Sequence, residues 1–189
     1  MRKVSLLLVL LVVGMFVHAQ DRVFKPFKVD IALGYANPSG GGGARGGVLF
    51  AIEPKYALND NFALGLRFEG AVMVRANIDR NGEDVSGEAK ASGSYLATAD
   101  YYFNTNKFRP FVGLGAGLYQ TATADVSSNP SQEDVATANK FGFAQRIGFE
   151  YGHFRTGIEY NVAGKTGTVN NNYLGVKLGF FIGGGRFEY

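Results

Sequence analysis

Seven charged residues, Arg67, Glu69, Asp100, Arg146, Glu150, Arg155 and Glu159, have the types and spacing that could do chemistry, and Glu53 and Lys177 share their setting. Carboxylates set among guanidinium groups can act as acid/base pairs, line an ion path, or neutralise one another in a buried network. Glu69 and Glu150 would suit the first role, but mixed signs in one set favour the network. A hydrolytic enzyme would add a nucleophile with a nearby histidine. His153 is the one histidine beyond the N-terminal segment, and it falls in a short turn rather than beside a candidate nucleophile. Gly113, Gly115 and Gly117 have the spacing of a phosphate-binding loop, yet apolar residues alternate straight through them and no helix follows. Gly40 to Gly43 also lacks the Lys-Ser/Thr pair of such a loop. Asp79, Asn81, Glu83 and Asp84, or Glu133 and Asp134, could meet a divalent cation. No complete calcium-loop pattern follows them, so they read as solvated loop charge. The expectation is no catalytic set, no cofactor and no metal.

The elements that must position these charges are strands. Period-two alternation recurs eight times after Asp21, in runs starting near Phe27, Val48, Phe62, Tyr95, Pro110, Phe141, Phe154 and Leu174. In the third run Phe62, Leu64, Leu66 and Phe68 oppose Arg67 and Glu69. In the seventh Phe154, Ile158 and Tyr160 oppose Arg155 and Glu159. Every charge inside the runs, from Lys28 onward, has the parity opposite to the apolar face. A soluble barrel and a membrane barrel both satisfy this pattern, one being the other turned inside out.

Three observations choose the membrane barrel. Connections after the even runs are short, Leu58 to Asn61, Asn104 to Lys107 and Gly152-His153. Those after the odd runs are long and polar, Asn37 to Gly47, Asn77 to Gly93, Ala122 to Thr137 and Ala163 to Asn171. Tyr56, Phe62, Phe103, Phe108, Tyr151 and Phe154 flank the short turns, as an interfacial ring would. The chain also opens with Arg2-Lys3, an apolar stretch from Leu6 to Val13 and a Val17-His18-Ala19 site, the pattern of a secretory signal too short for an anchor. Residues 1–19 are therefore expected to be a cleaved signal peptide, and 20–189 one barrel domain. Cysteine is absent, which rules out disulfides and a lipidated N-terminus. Removing Arg2 and Lys3 lowers the formal charge from +3 to +1, with no basic cluster to suggest nucleic acid.

Lys107-Phe-Arg-Pro-Phe-Val-Gly-Leu-Gly-Ala-Gly-Leu-Tyr119 and Tyr173-Leu-Gly-Val-Lys-Leu-Gly-Phe180 resemble the small OmpA/OmpX-like outer-membrane barrels, in particular single-domain members common in Bacteroidetes. That resemblance implies an all-β, eight-stranded, up-and-down transmembrane barrel in the outer membrane. It also implies assembly by periplasmic machinery and roles from adhesion to narrow pores. No peptidoglycan-binding domain is expected after the barrel, so a cell-wall anchoring role is not expected either. Either Phe180 or Tyr189 would supply the terminal aromatic used in assembly. The expected partners are outer-membrane lipid and a surface ligand reached through four loops, with the chain a monomer. The lumen charges Glu53, Arg67, Glu69, Asp100, Arg146, Glu150, Arg155, Glu159 and Lys177 are expected either to plug the barrel or to line a thin water path. An eight-stranded barrel is only wide enough for its own side chains, which favours the plug.

Overall fold

The computed structural model describes residues 22–39, 44–78, 85–126, 136–166 and 169–187. The barrel strands are β1 (Phe27–Pro38), β2 (Ala44–Ala57), β3 (Phe62–Ile78), β4 (Val85–Tyr102), β5 (Phe108–Val126), β6 (Ala136–Tyr151), β7 (Phe154–Val162) and β10 (Tyr173–Gly183). Between the last two, β8 (Lys165–Thr166) and β9 (Val169–Asn170) form a small hairpin. Each barrel strand pairs antiparallel with its chain neighbour, and β10 returns to β1, so the sheet closes. Closure leaves no strand edge within the lipid, where unpaired backbone groups would cost several kcal/mol each.

The alternation sets which side chains face out. Leu33, Val48, Leu66, Leu114, Phe141, Ile147, Leu178 and Ile182 are exposed on the outer face, while their neighbours point into the lumen. Gln145 interrupts this apolar face between Phe143 and Ile147. Tyr56, Phe103, Phe108, Tyr151 and Phe154 stand exposed around the short-turn end, joined by Phe27 and Tyr101.

The strands extend further toward the long-loop end than the alternation indicates. Asn77 to Gly93 is expected to be loop, yet β3 continues to Ile78 and β4 begins at Val85. The Ala122–Thr137 connection likewise loses residues to β5 and β6, and Ala163–Asn171 contains the β8–β9 hairpin. Ser, Gly, Ala and Lys have low strand propensity, so the stretch from Ser86 to Gly93 looks like loop, although ladder pairing to β3 and β5 holds it extended. The resulting wall is uneven. Strands β3 to β6 have 16 to 19 residues, whereas β7, β10 and β1 have 9, 11 and 12. Among the described residues, Ala136 to Gly142 of β6 pair with β5 alone, because the β6–β7 ladder starts at Phe143.

The short-turn mouth is closed by the chain ends. Arg22 donates to the Ala57 and Leu58 carbonyls at 3.1 and 2.9 Å, and Asp60 accepts from the Val23 and Phe24 amides. Positive φ angles at Gly183 and Gly184 (78° and 62°) turn the chain after β10, a conformation glycine adopts without steric cost. The tail then pairs with the N-terminal strap at Phe24 and Arg186. Phe180 lies on the outer face of β10, and Tyr189 falls outside the described residues.

Candidate functional site

The lumen is the candidate site, and ladder register explains its arrangement. Opposite charges meet directly on neighbouring strands in the row Arg109–Glu150–Arg155. Like charges also fall side by side, Lys28 against Lys55 and Asp30 against Glu53 on β1 and β2. Such pairs repel, so their counter-charges have to come from elsewhere around the barrel, and they do.

At the short-turn end Lys28 Nζ contacts the Glu150 carboxylate and donates to the Tyr102 hydroxyl at 3.0 Å. That hydroxyl donates to Glu150 at 2.9 Å, and Arg155 Nη1 donates to the same oxygen at 2.5 Å. Arg109 lies 3.3 Å from Glu150, its guanidinium between the rings of Phe24 and Tyr102 at 3.9 and 4.0 Å. Phe24 and Arg109 thus cap this mouth from below.

In the middle tier Asp100 holds three cations, Lys55 at 2.6 Å, Arg146 at 2.7 Å and Arg155 at 2.8 Å. Arg146 also grips Glu53 with two parallel bonds of 2.8 and 2.7 Å, a geometry that favours arginine over lysine. Lys55 reaches Asp30 at 2.7 Å. Gly113 lies between Asp100 and Arg146 in the ladder, and a Cβ there would overlap the Asp100 carboxylate and come 2.7 Å from Arg146 Nε. Its spacing with Gly115 and Gly117 serves close packing within β5. Phe111 lies over Gly148 and Gly157, and the Arg155 guanidinium stacks on its ring at 3.6 Å.

The third tier spans the lumen from β3 to β7 and β10. Arg67 pairs with Glu159 and donates to Asn161 at 3.0 Å. Lys177 pairs with Glu69 and, at 3.0 Å, with Glu159, while the Tyr173 hydroxyl donates to Glu69 at 2.6 Å. Above it Ala36, Leu49, Ala71, Met73, Leu96 and Ala144 pack with the rings of Tyr119 and Tyr173 into an apolar layer. Lys90, from the stretch expected to be loop, is buried at the long-loop end and donates to the Asn170 carbonyl at 3.2 Å.

All nine residues named from the sequence thus lie in one connected set. Sequence reasoning left out Lys28, Asp30, Lys55 and Arg109, and the tyrosines 102, 119 and 173, whose hydroxyls donate to Glu150, Asn161 and Glu69. The parity of Lys28, Asp30 and Lys55 already pointed inward, and Arg109 stands one residue before an alternating run. Between the tiers a cavity of about 40 Å³ remains, lined in part by Asp30, Glu53, Arg67, Arg146, Arg155 and Lys177. A cavity of that size holds roughly two or three waters. His153 sits in the β6–β7 turn, its Nδ1 2.9 Å from the Phe181 carbonyl. Among the described residues no cluster of acidic, histidine or cysteine side chains could hold a metal. The loop acids Asp79, Glu83, Asp84, Glu133 and Asp134 lie outside the described residues.

A closed antiparallel barrel with an apolar exterior and a charged interior defines the transmembrane β-barrel class. Residues 6–181 match the outer membrane protein beta-barrel domain, and the chain belongs to that family. It is an outer-membrane β-barrel protein. Neisserial surface protein A (NspA) has a similar structure, at 20% identity and a TM-score of 0.60 over 83% of this chain and 96% of that one. Ail, the attachment invasion locus protein of Yersinia pestis, solved with the heparin analogue sucrose octasulfate, aligns at 17% identity and a TM-score of 0.48, over 86% of this chain and 99% of that one. No curated protein matches the sequence.

Proposed function

We propose that this protein is a closed surface scaffold: a barrel that anchors external loops for contact with molecules outside the cell and conducts little or nothing through its lumen. The observation that carries this reading is the tiered ion-pair network beneath an apolar layer. Seven cations (Lys28, Lys55, Arg67, Arg109, Arg146, Arg155, Lys177) face six carboxylates (Asp30, Glu53, Glu69, Asp100, Glu150, Glu159). Opening a path would strip partners from buried charges, at about 3–5 kcal/mol for each pair broken. The second reading, a low-conductance pore for small solutes, draws on the polar cavity between the tiers. Residues 1–19 direct export and are then cleaved, assembly uses the periplasmic barrel machinery, and the monomer is the working form. An enzymatic role has little support, since His153 is engaged in a turn far from the loops.

Single-channel recording of the refolded mature protein in a planar bilayer tests this, with faster gel migration before boiling as proof of a folded barrel. The scaffold reading expects a silent bilayer. Discrete openings whose size changes in Glu69→Gln would establish a charged pore in its place.

A further inference from the structure

The lipid-facing wall has one notch. Gly70 of β3 and Gly93 of β4 are directly paired, and at both positions an added Cβ would meet nothing within 4 Å. Many lumen-side glycines are instead crowded, as at Gly65, Gly113 and Gly148. A groove of about 200 Å³ opens at Gly70, walled by Phe50, Ile52, Phe68 and Tyr95. Phe68 and Tyr95 close its lower side edge to face, with ring centroids 5.9 Å apart at 85°.

A row of paired residues leads away from the groove through Gly93. The register row runs Phe50–Gly70–Gly93–Gln120 across four strands. A tilted strand climbs ~2.5 Å per residue, which places Phe50 ~15 Å above the aromatic ring at Tyr56, and three ~4.8 Å strand spacings at a tilt of ~40° raise Gln120 ~9 Å further. The apolar band of such barrels is ~25 Å tall. The row therefore begins deep in hydrocarbon and ends at the outer edge of that band, where the exposed Gln120 amide supplies donors and an acceptor.

We propose that this groove binds one acyl chain of an outer-leaflet glycolipid of the lipid A kind, with Gln120 hydrogen-bonded to the carbonyl or hydroxyl at the head of that chain. Lipid is the solvent of this face, so contact alone gives no selectivity. A concave slot with aromatic walls does, because one ordered chain makes dispersion contacts that a disordered tail forfeits. The upward course to Gln120 selects the leaflet opposite the short turns.

The test reconstitutes the folded mature protein in nanodiscs of lipid A and phosphatidylethanolamine, extracts it into mild detergent and counts retained lipid by native mass spectrometry. Wild type keeps one lipid A per barrel. Gly70→Leu and Gly93→Leu fill open space on the outer face and leave heat-modifiable migration intact, but lower retention by about tenfold. Gln120→Leu lowers it less. Equal retention by the filled variants, retention of phosphatidylethanolamine alone, or a dimer without lipid would overturn the assignment.

Discussion

The two ends of the lumen are packed by different physics. From Lys28 up to Glu69 the interior is held by charges, each carboxylate shared among two or more cations. Nearer the loops it is held by Leu49, Met73, Leu96 and two tyrosine rings, and polar atoms there go unmatched. Ser92 Oγ and Ser94 Oγ are buried there without a hydrogen-bond partner among the described residues, whereas Asp30, Arg67 and Arg109, which also have atoms outside any hydrogen bond, are each ion-paired. The charged half is over-determined, since moving one group disturbs several others. The upper half is ordinary side-chain packing with slack, and this is where loop-driven change could be tolerated.

Breaking the charged half carries the largest expected effect. Asp100→Asn leaves Lys55, Arg146 and Arg155 without their shared counter-charge. It should cost about 3–5 kcal/mol, read as an earlier midpoint in urea unfolding from lipid vesicles. A change below 1 kcal/mol would show that water already screens this tier. Leu96→Ala, in the upper layer, should cost about 2–4 kcal/mol, the usual price of a core cavity. A loss equal to that from Asp100→Asn would erase the proposed contrast. The smallest effect belongs to Ser94→Ala, which removes a buried hydroxyl with no partner and so should shift stability by less than about 0.5 kcal/mol in either direction. A clear loss would reveal a bound water in the slack half.

Parity made much of this legible in advance. Once the apolar face of each run was assigned outward, Arg67, Glu69, Asp100, Arg146 and Glu159 could only face one narrow lumen. Their pairings were not legible. Lys55 and Asp100 are 45 positions apart, and Glu69 and Lys177 are 108 apart, so partner choice follows from strand tilt and closure rather than from local spacing. Strand ends were hidden for another reason. Ser86 to Gly93 has a loop's composition and is held extended by two neighbouring ladders. The strap at Val23 to Pro26 has no period to detect, and its course is set by Asp60, which accepts from two of its amides, and by backbone pairing with the tail.

The unequal strand lengths give the protein a front and a back. Beyond the level where β7 and β10 stop, β3 to β6 stand up like a parapet on one side of the mouth, and the other side is cut low. Within that strand framework, a large molecule sliding along the cell surface meets a wall from one bearing and an open sill from the opposite one. Rotation of the barrel about its own axis then sets how often the two can engage.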